Sequence, residues 1–168
     1  MNKSQHEGFI LTEVLIGLAL TALLLQALVP LLSTSFVSWR LSTARMEMHQ
    51  TARMATEAMT RELRFASSVS WPLPEQPSTI VRFKKVDPSG HIQSLIFQQG
   101  SPSGINPHTL YRINSPGEPT PLTQNVVSEL NFQFQPPRLI RISLTVTDAQ
   151  TQVTDTVETW VSCLNLPD

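Results

Sequence analysis

The chain has 168 residues, a formal net charge of -1 and only 15% charged residues, against about 25% in an ordinary soluble domain. That balance sets up no basic field for nucleic acid, and with 13 prolines it describes a neutral, polar, loop-rich surface. Cys163 is the single cysteine, which excludes a disulfide within the chain.

The opening MNKSQHEG, residues 1–8, is too short for a secretory signal peptide, which runs about 15–30 residues. From Val14 to Leu32 no residue is charged, and at 1.5 Å per residue the run makes a helix of roughly 28 Å, about one bilayer core. Glu13 stands at its start behind the apolar Phe9, Ile10 and Leu11. A carboxylate there costs on the order of 3 kcal/mol, so it either has a partner or snorkels to the headgroups. No Lys, Arg or His lies within one helical turn of it, so any partner is not local.

Gly8-Phe9 followed by Glu13, with a short polar leader before and a hydrophobic helix after, resembles the cleavage and methylation signature of type IV pilins and type II secretion pseudopilins. The resemblance implies that a prepilin peptidase cuts between Gly8 and Phe9 and methylates the new N-terminal residue, Phe9. It also implies that Glu13 pairs with the free amine of a neighbouring subunit, and that Pro30 is the helix kink many pilins carry. An ammonium and a carboxylate buried together in hydrocarbon are each other's least costly neighbour, which agrees with that pairing. His6-Glu7 stand where such leaders usually place a basic residue, and Lys3 lies farther out. The C-terminal disulfide loop of many major pilins is missing, which points to a minor subunit. Lys3 and the amino terminus face Arg40, Arg45 and Arg53 on the other flank, so charge does not orient the span. The inside placement of the N-terminus rests on the resemblance.

Gly17 and Pro30 are the two helix weakeners in the apolar segment, and a bend is expected near Pro30. Trp39, just past the apolar run, suits a membrane-interface anchor or lateral packing in a filament. Farther on, Ala44, Met48, Ala52, Ala55, Met59, Leu63 and Ala66 recur at spacings of three and four and make an apolar stripe. Arg45, His49, Arg53, Glu57 and Arg61 make a polar one. Four methionines, Met46, Met48, Met54 and Met59, suit a binding groove, but their spacing among alanines favours core packing. The helix is expected to reach about Ala66, ended by Ser67, Ser68, Ser70 and Pro72.

Trp71 to Pro77 reads as an extended connector. Ile80 to Val86 and His91 to Phe97 flank Asp87-Pro88-Ser89-Gly90, a turn sequence, and predict a hairpin. Residues 98–107 read as loop, His108 to Ile113 as a short strand, and Ser115 to Pro121, with three prolines, as irregular. Leu130, Phe132 and Phe134 alternate with polar residues, as do Ile140, Ile142, Leu144 and Val146, and Gln152 to Cys163 returns with Val153, Val157 and Val161 on one face. One-sided strands need a cover, and the Ala44–Ala66 stripe supplies it. The expected fold is α+β, a long N-terminal helix laid on an antiparallel sheet, similar to the pilin fold. Its parts are a leader (1–8), a transmembrane and assembly helix (9–32), an amphipathic continuation (33–70) and a β-rich domain (71–168). The last third resembles, at pattern level, the end of minor subunits of the J pseudopilin and W minor pilin groups.

No HExxH, CxxC or GxSxG occurs, and His49, His91, His108 and Cys163 show no metal spacing. No catalytic residue, metal, cofactor or small-molecule substrate is expected, and His49 and His108 read as solvated. Arg82, Lys84 and Lys85 form the one basic cluster, but Phe83 alternates toward the core, so DNA is not an expected partner. The expected function is a minor pilin or pseudopilin, a non-enzymatic structural subunit of a type IV pilus or type II secretion pseudopilus. It would wait as a single-pass protein in the inner membrane, its globular domain outside, and meet prepilin peptidase and other pilin-like subunits. The alternative is a membrane-anchored binding domain that is neither cut nor polymerised.

Overall fold

An apolar run followed by an amphipathic stripe, with no glycine after Gly17 until Gly90 and Pro30 as the only interior proline, favours one long helix, and α1 spans Ser4–Leu63. The computed structural model describes residues 4–100, 104, 106–115 and 117–166, with α1 side chains from Leu11 onward. Residues 1–3 of the expected leader and the side chains of Gly8 and Phe9 therefore lie outside the described residues. The chain divides into two units, Met1–Ser42 and Thr43–Asp168.

In the first unit α1 is the sole element. Every side chain from 11 to 40 is exposed, including thirteen Leu, Ile and Val residues between Leu11 and Leu32. Leaving one such side chain in water forgoes about 1.5–3 kcal/mol. This length of α1 therefore calls for a cover from outside the chain.

The second unit holds the rest of α1 and nine strands: β1 (Ala66–Trp71), β2 (Pro77–Ser78), β3 (Ile80–Val86), β4 (Ile92–Gln99), β5 (Leu110–Ser115), β6 (Pro119–Pro121), β7 (Val127–Gln135), β8 (Leu139–Thr147) and β9 (Thr154–Ser162). They form two antiparallel sheets, β1-β3-β4-β5-β6 and β2-β7-β8-β9, in place of the one sheet expected. The division falls between β6 and β7. Prolines at both ends of β6 leave Thr120 as its one backbone donor, so β6 ends the first sheet, and β7 pairs with β8 instead.

Ala44, Met48, Ala52, Ala55, Met59, Leu63 and Ala66, the whole predicted stripe, are buried. Those from Met48 to Ala66 share one core with Phe83, Phe97 and Leu110 from the first sheet and Phe132, Ile140, Ile142, Leu144 and Val146 from the second. The polar stripe of Arg45, His49, Arg53, Glu57 and Arg61 is exposed. The hairpin β3–β4 turns as read: Gly90 adopts φ +84, its N–H donates to the Asp87 carbonyl at 3.0 Å, and Asp87 Oδ1 accepts from the Ser89 and His91 N–H groups. Glycine suits that turn because it alone takes a positive φ without steric cost.

Several boundaries differ from expectation; β4 starts at Ile92 and runs on to Gln99, and β9 is confined to Thr154–Ser162. The helix stops at Leu63, and Ser67 to Trp71 are strand, because the serines give β1 cross-strand bonds: Ser67 Oγ donates to the Lys84 carbonyl and Ser70 Oγ to the Arg82 carbonyl. The amphipathic part thus ends short of residue 70. The short strand expected over His108 to Ile113 runs instead as β5, Leu110–Ser115, in register with β4. Residues 119–121, expected to be irregular, pair with β5 along its free edge, where a missing proline donor costs nothing.

Candidate functional site

The apolar length of α1 is long and apolar enough to cross a membrane. Three of its hydroxyls are satisfied within the helix: Thr21 Oγ1 donates to the Gly17 carbonyl at 2.7 Å, Ser33 Oγ to the Pro30 carbonyl at 2.8 Å and Ser35 Oγ to the Leu31 carbonyl at 2.8 Å. Such back-bonding removes polar groups from a lipid-facing surface. Glu13 is different. It is exposed, and no hydrogen bond or ion pair from another described residue reaches it. Gly8 and Phe9 lie one turn earlier on the same helix and Pro30 lies inside it. Among the described residues no cation pairs with Glu13.

In the second unit, the outward side of β7, β8 and β9 is a polar ladder of three rungs: Glu129–Thr145–Thr156, Asn131–Ser143–Glu158 and Gln133–Arg141–Trp160. It forms an open trough of about 430 Å³. Arg141 Nη2 donates to Glu158 Oε2 at 2.7 Å, and its guanidinium lies 5.8 Å from the Trp160 ring centroid. Amides, hydroxyls and one ion pair can hydrogen-bond a neighbour, and neither histidine nor thiol lines the trough.

The basic cluster is divided. Phe83 points inward, 1% exposed, and Arg82 and Lys84 point to solvent. Lys85 instead pairs with Glu62 of α1, which also takes Arg112 of β5 at 3.1 Å, so one carboxylate ties the helix to two strands of the first sheet. His49, read as solvated, sets Nδ1 3.0 Å from Asp155 Oδ2 of β9. His108 Nδ1 lies 3.1 Å from the Val127 carbonyl. Glu62 and Asp155 were missed because their partners lie far away in sequence, and only the sheet register brings them together. Among the described residues no group of three or more His, Cys, Asp or Glu is placed to hold a metal.

Cys163, expected on an apolar strand face, lies one residue past the end of β9 and is buried, and burial pushes its thiol from 9.0 up to about 11. The thiolate is the reactive form. An aromatic disulfide reagent at pH 8 should therefore leave the folded protein unmodified and titrate one thiol only after denaturant is added. Above pH 9 the unfolded thiol loses its proton while the folded one keeps it, so stability should fall between about pH 9 and 11.

Comparison with protein-family models, curated proteins and solved structures found no match.

Proposed function

We propose that the chain is a minor pilin or pseudopilin, a structural assembly subunit without enzymatic activity, cut after Gly8, methylated on Phe9 and joined to its neighbours through Glu13. The observation that carries the reading is the pairing of an exposed apolar helix with Glu13, a carboxylate at the start of the apolar run that has no partner among the described residues. A plain anchor needs the apolar run and gains nothing from Glu13. A filament subunit needs both, because each new terminus brings an ammonium into the hydrocarbon with no counter-ion of its own. The second half of α1, covering two antiparallel sheets, agrees with a pilin-like layout. In this reading the subunit sits in the inner membrane by one span, N-terminus inside, before it joins other pilin-like subunits. The lack of an intrachain disulfide favours a low-copy place in the filament.

The deciding measurement is the intact mass of the protein isolated from its cells. The expected chain begins at Phe9 and carries one added methyl group. A chain that keeps Met1 and its leader overturns the proposal in favour of an uncut membrane anchor.

A further inference from the structure

The charge-free part of α1 extends beyond the run already described, from Val14 to Trp39, between Glu13 and Arg40. Gln26 is thirteen residues after the first charge and fourteen before the second, so it lies about 20 Å from each, at the middle of the run. Among the described side chains of that run, Gln26, Thr34, Ser38 and the Trp39 indole have no hydrogen-bond partner among the described residues. Thr34, Ser38 and Trp39 lie within six residues of Arg40, where water and headgroups can serve them. Gln26 has no such recourse.

The main chain adds a second unmet group at the same level. In an α-helix the carbonyl of residue 26 takes its hydrogen bond from the N–H of residue 30, and residue 30 is Pro30, which has none. The neighbouring hydroxyls do not repair this, since Ser33 bonds the Pro30 carbonyl and Ser35 the Leu31 carbonyl. One turn of the helix thus presents two carboxamide N–H donors, a carboxamide oxygen and a main-chain carbonyl to the centre of the lipid. Unmet polar groups are least tolerated at that depth.

We propose that Gln26 is the point at which α1 pairs, parallel and in register, with α1 of a second copy in the membrane. This rests on the membrane-spanning part of the proposed function and not on its filament part. The chemistry is self-complementary: the Nε2–H groups of each Gln26 donate to the other's side-chain or main-chain oxygen. A two-fold axis along the bilayer normal sets identical residues opposite each other at one depth. A staggered copy would bring an apolar side chain to that level and leave both groups unmet. Ala22, Ala19 and Ser33, four and seven residues away, share the face of Gln26 and are small enough for the backbones to approach. Glu13 lies about 140° around the helix from Gln26, so the pair does not set two carboxylates together, and Glu13 stays available for an ammonium.

The test uses full-length protein with Cys163→Ser and a dye site at Ser89→Cys in the exposed β3–β4 turn. Donor- and acceptor-labelled chains are mixed in phosphatidylcholine vesicles, and energy transfer is followed as lipid is added. Wild-type Gln26 should give transfer above random proximity. Gln26→Leu should weaken association about three- to thirty-fold, and Gln26→Asn should retain most of it. Equal association of Gln26→Leu and wild type overturns the proposal, as does wild-type transfer at the random level or an equal loss caused by Glu13→Ala alone. The mass of the cellular protein is independent of this readout, so failure of the pair and failure of the pilin reading are distinguishable.

Discussion

Met59→Asp in a fragment starting at Trp39 is expected to abolish cooperative folding or to lower its melting temperature by tens of degrees, whereas Met54→Asp is expected to leave it nearly unchanged. The two methionines lie on one helix, five residues apart. Met59 is 0% exposed and Met54 61%. Met59 belongs to the core that the stripe shares with Phe83, Leu95, Phe132 and Ile142 of the two sheets. Removing it costs the 2–5 kcal/mol typical of a large core side chain, and the carboxylate adds the cost of a buried, unpaired polar group. Against the 5–15 kcal/mol of an ordinary domain, that sum is most of the stability. At Met54 the carboxylate stays in water, where surface substitutions change stability by about 0.5 kcal/mol or less. Equal melting of the two variants would mean that the stripe does not cover the sheets.

Periodicity made this half of the fold legible. The stripe from Ala44 to Ala66 is a pattern of period 3.6, and every member is buried; Ile140 to Val146 is a pattern of period 2, and every apolar member is 0% exposed. Where no period existed, the reading slipped. Ser67, Ser68 and Ser70 look like terminators, yet they lie in β1 beside β3, and Ser67 and Ser70 add side-chain bonds to its carbonyls, a gain that appears only once β3 is beside them. Proline-flanked Thr120 looks irregular and is a strand because an edge forgives missing donors. The split into two sheets depends on which strand β7 chooses, and local sequence does not encode that choice. Glu62 is the clearest miss. On the helix it is one more acid near Arg61 and Arg64, but register places Lys85 and Arg112 around it. At the candidate site the position is reversed: Glu13 and Pro30 stand out in the sequence because a charge or a missing donor is conspicuous in an apolar run, without knowledge of tertiary contacts.

If the proposed function holds, Gly8→Val and Glu13→Ala should fail at different stages. A side chain at the residue before the cut would fill space the peptidase reserves for hydrogen, so Gly8→Val is expected to keep its leader and to run at the uncut mass. Glu13 should matter only afterwards. The isolated subunit offers Glu13 no partner among the described residues, and a span without the carboxylate inserts at less cost. Glu13→Ala is therefore expected to be cut normally and to accumulate in the inner membrane at near-normal level. In the filament it would leave a neighbour's N-terminal ammonium in hydrocarbon without a counter-ion, a loss of about 3 kcal/mol or more per contact, or more than a hundredfold in occupancy. It should then be missing from purified filaments and from cross-links to other pilin-like subunits. Glu13→Asp, shorter by one methylene, should fall between. Glu13→Ala at wild-type occupancy along the filament would sink the pairing role for this chain. Correct cleavage with tolerance confined to one filament end would instead assign the subunit to the tip, where no subunit ahead supplies an amine to its carboxylate.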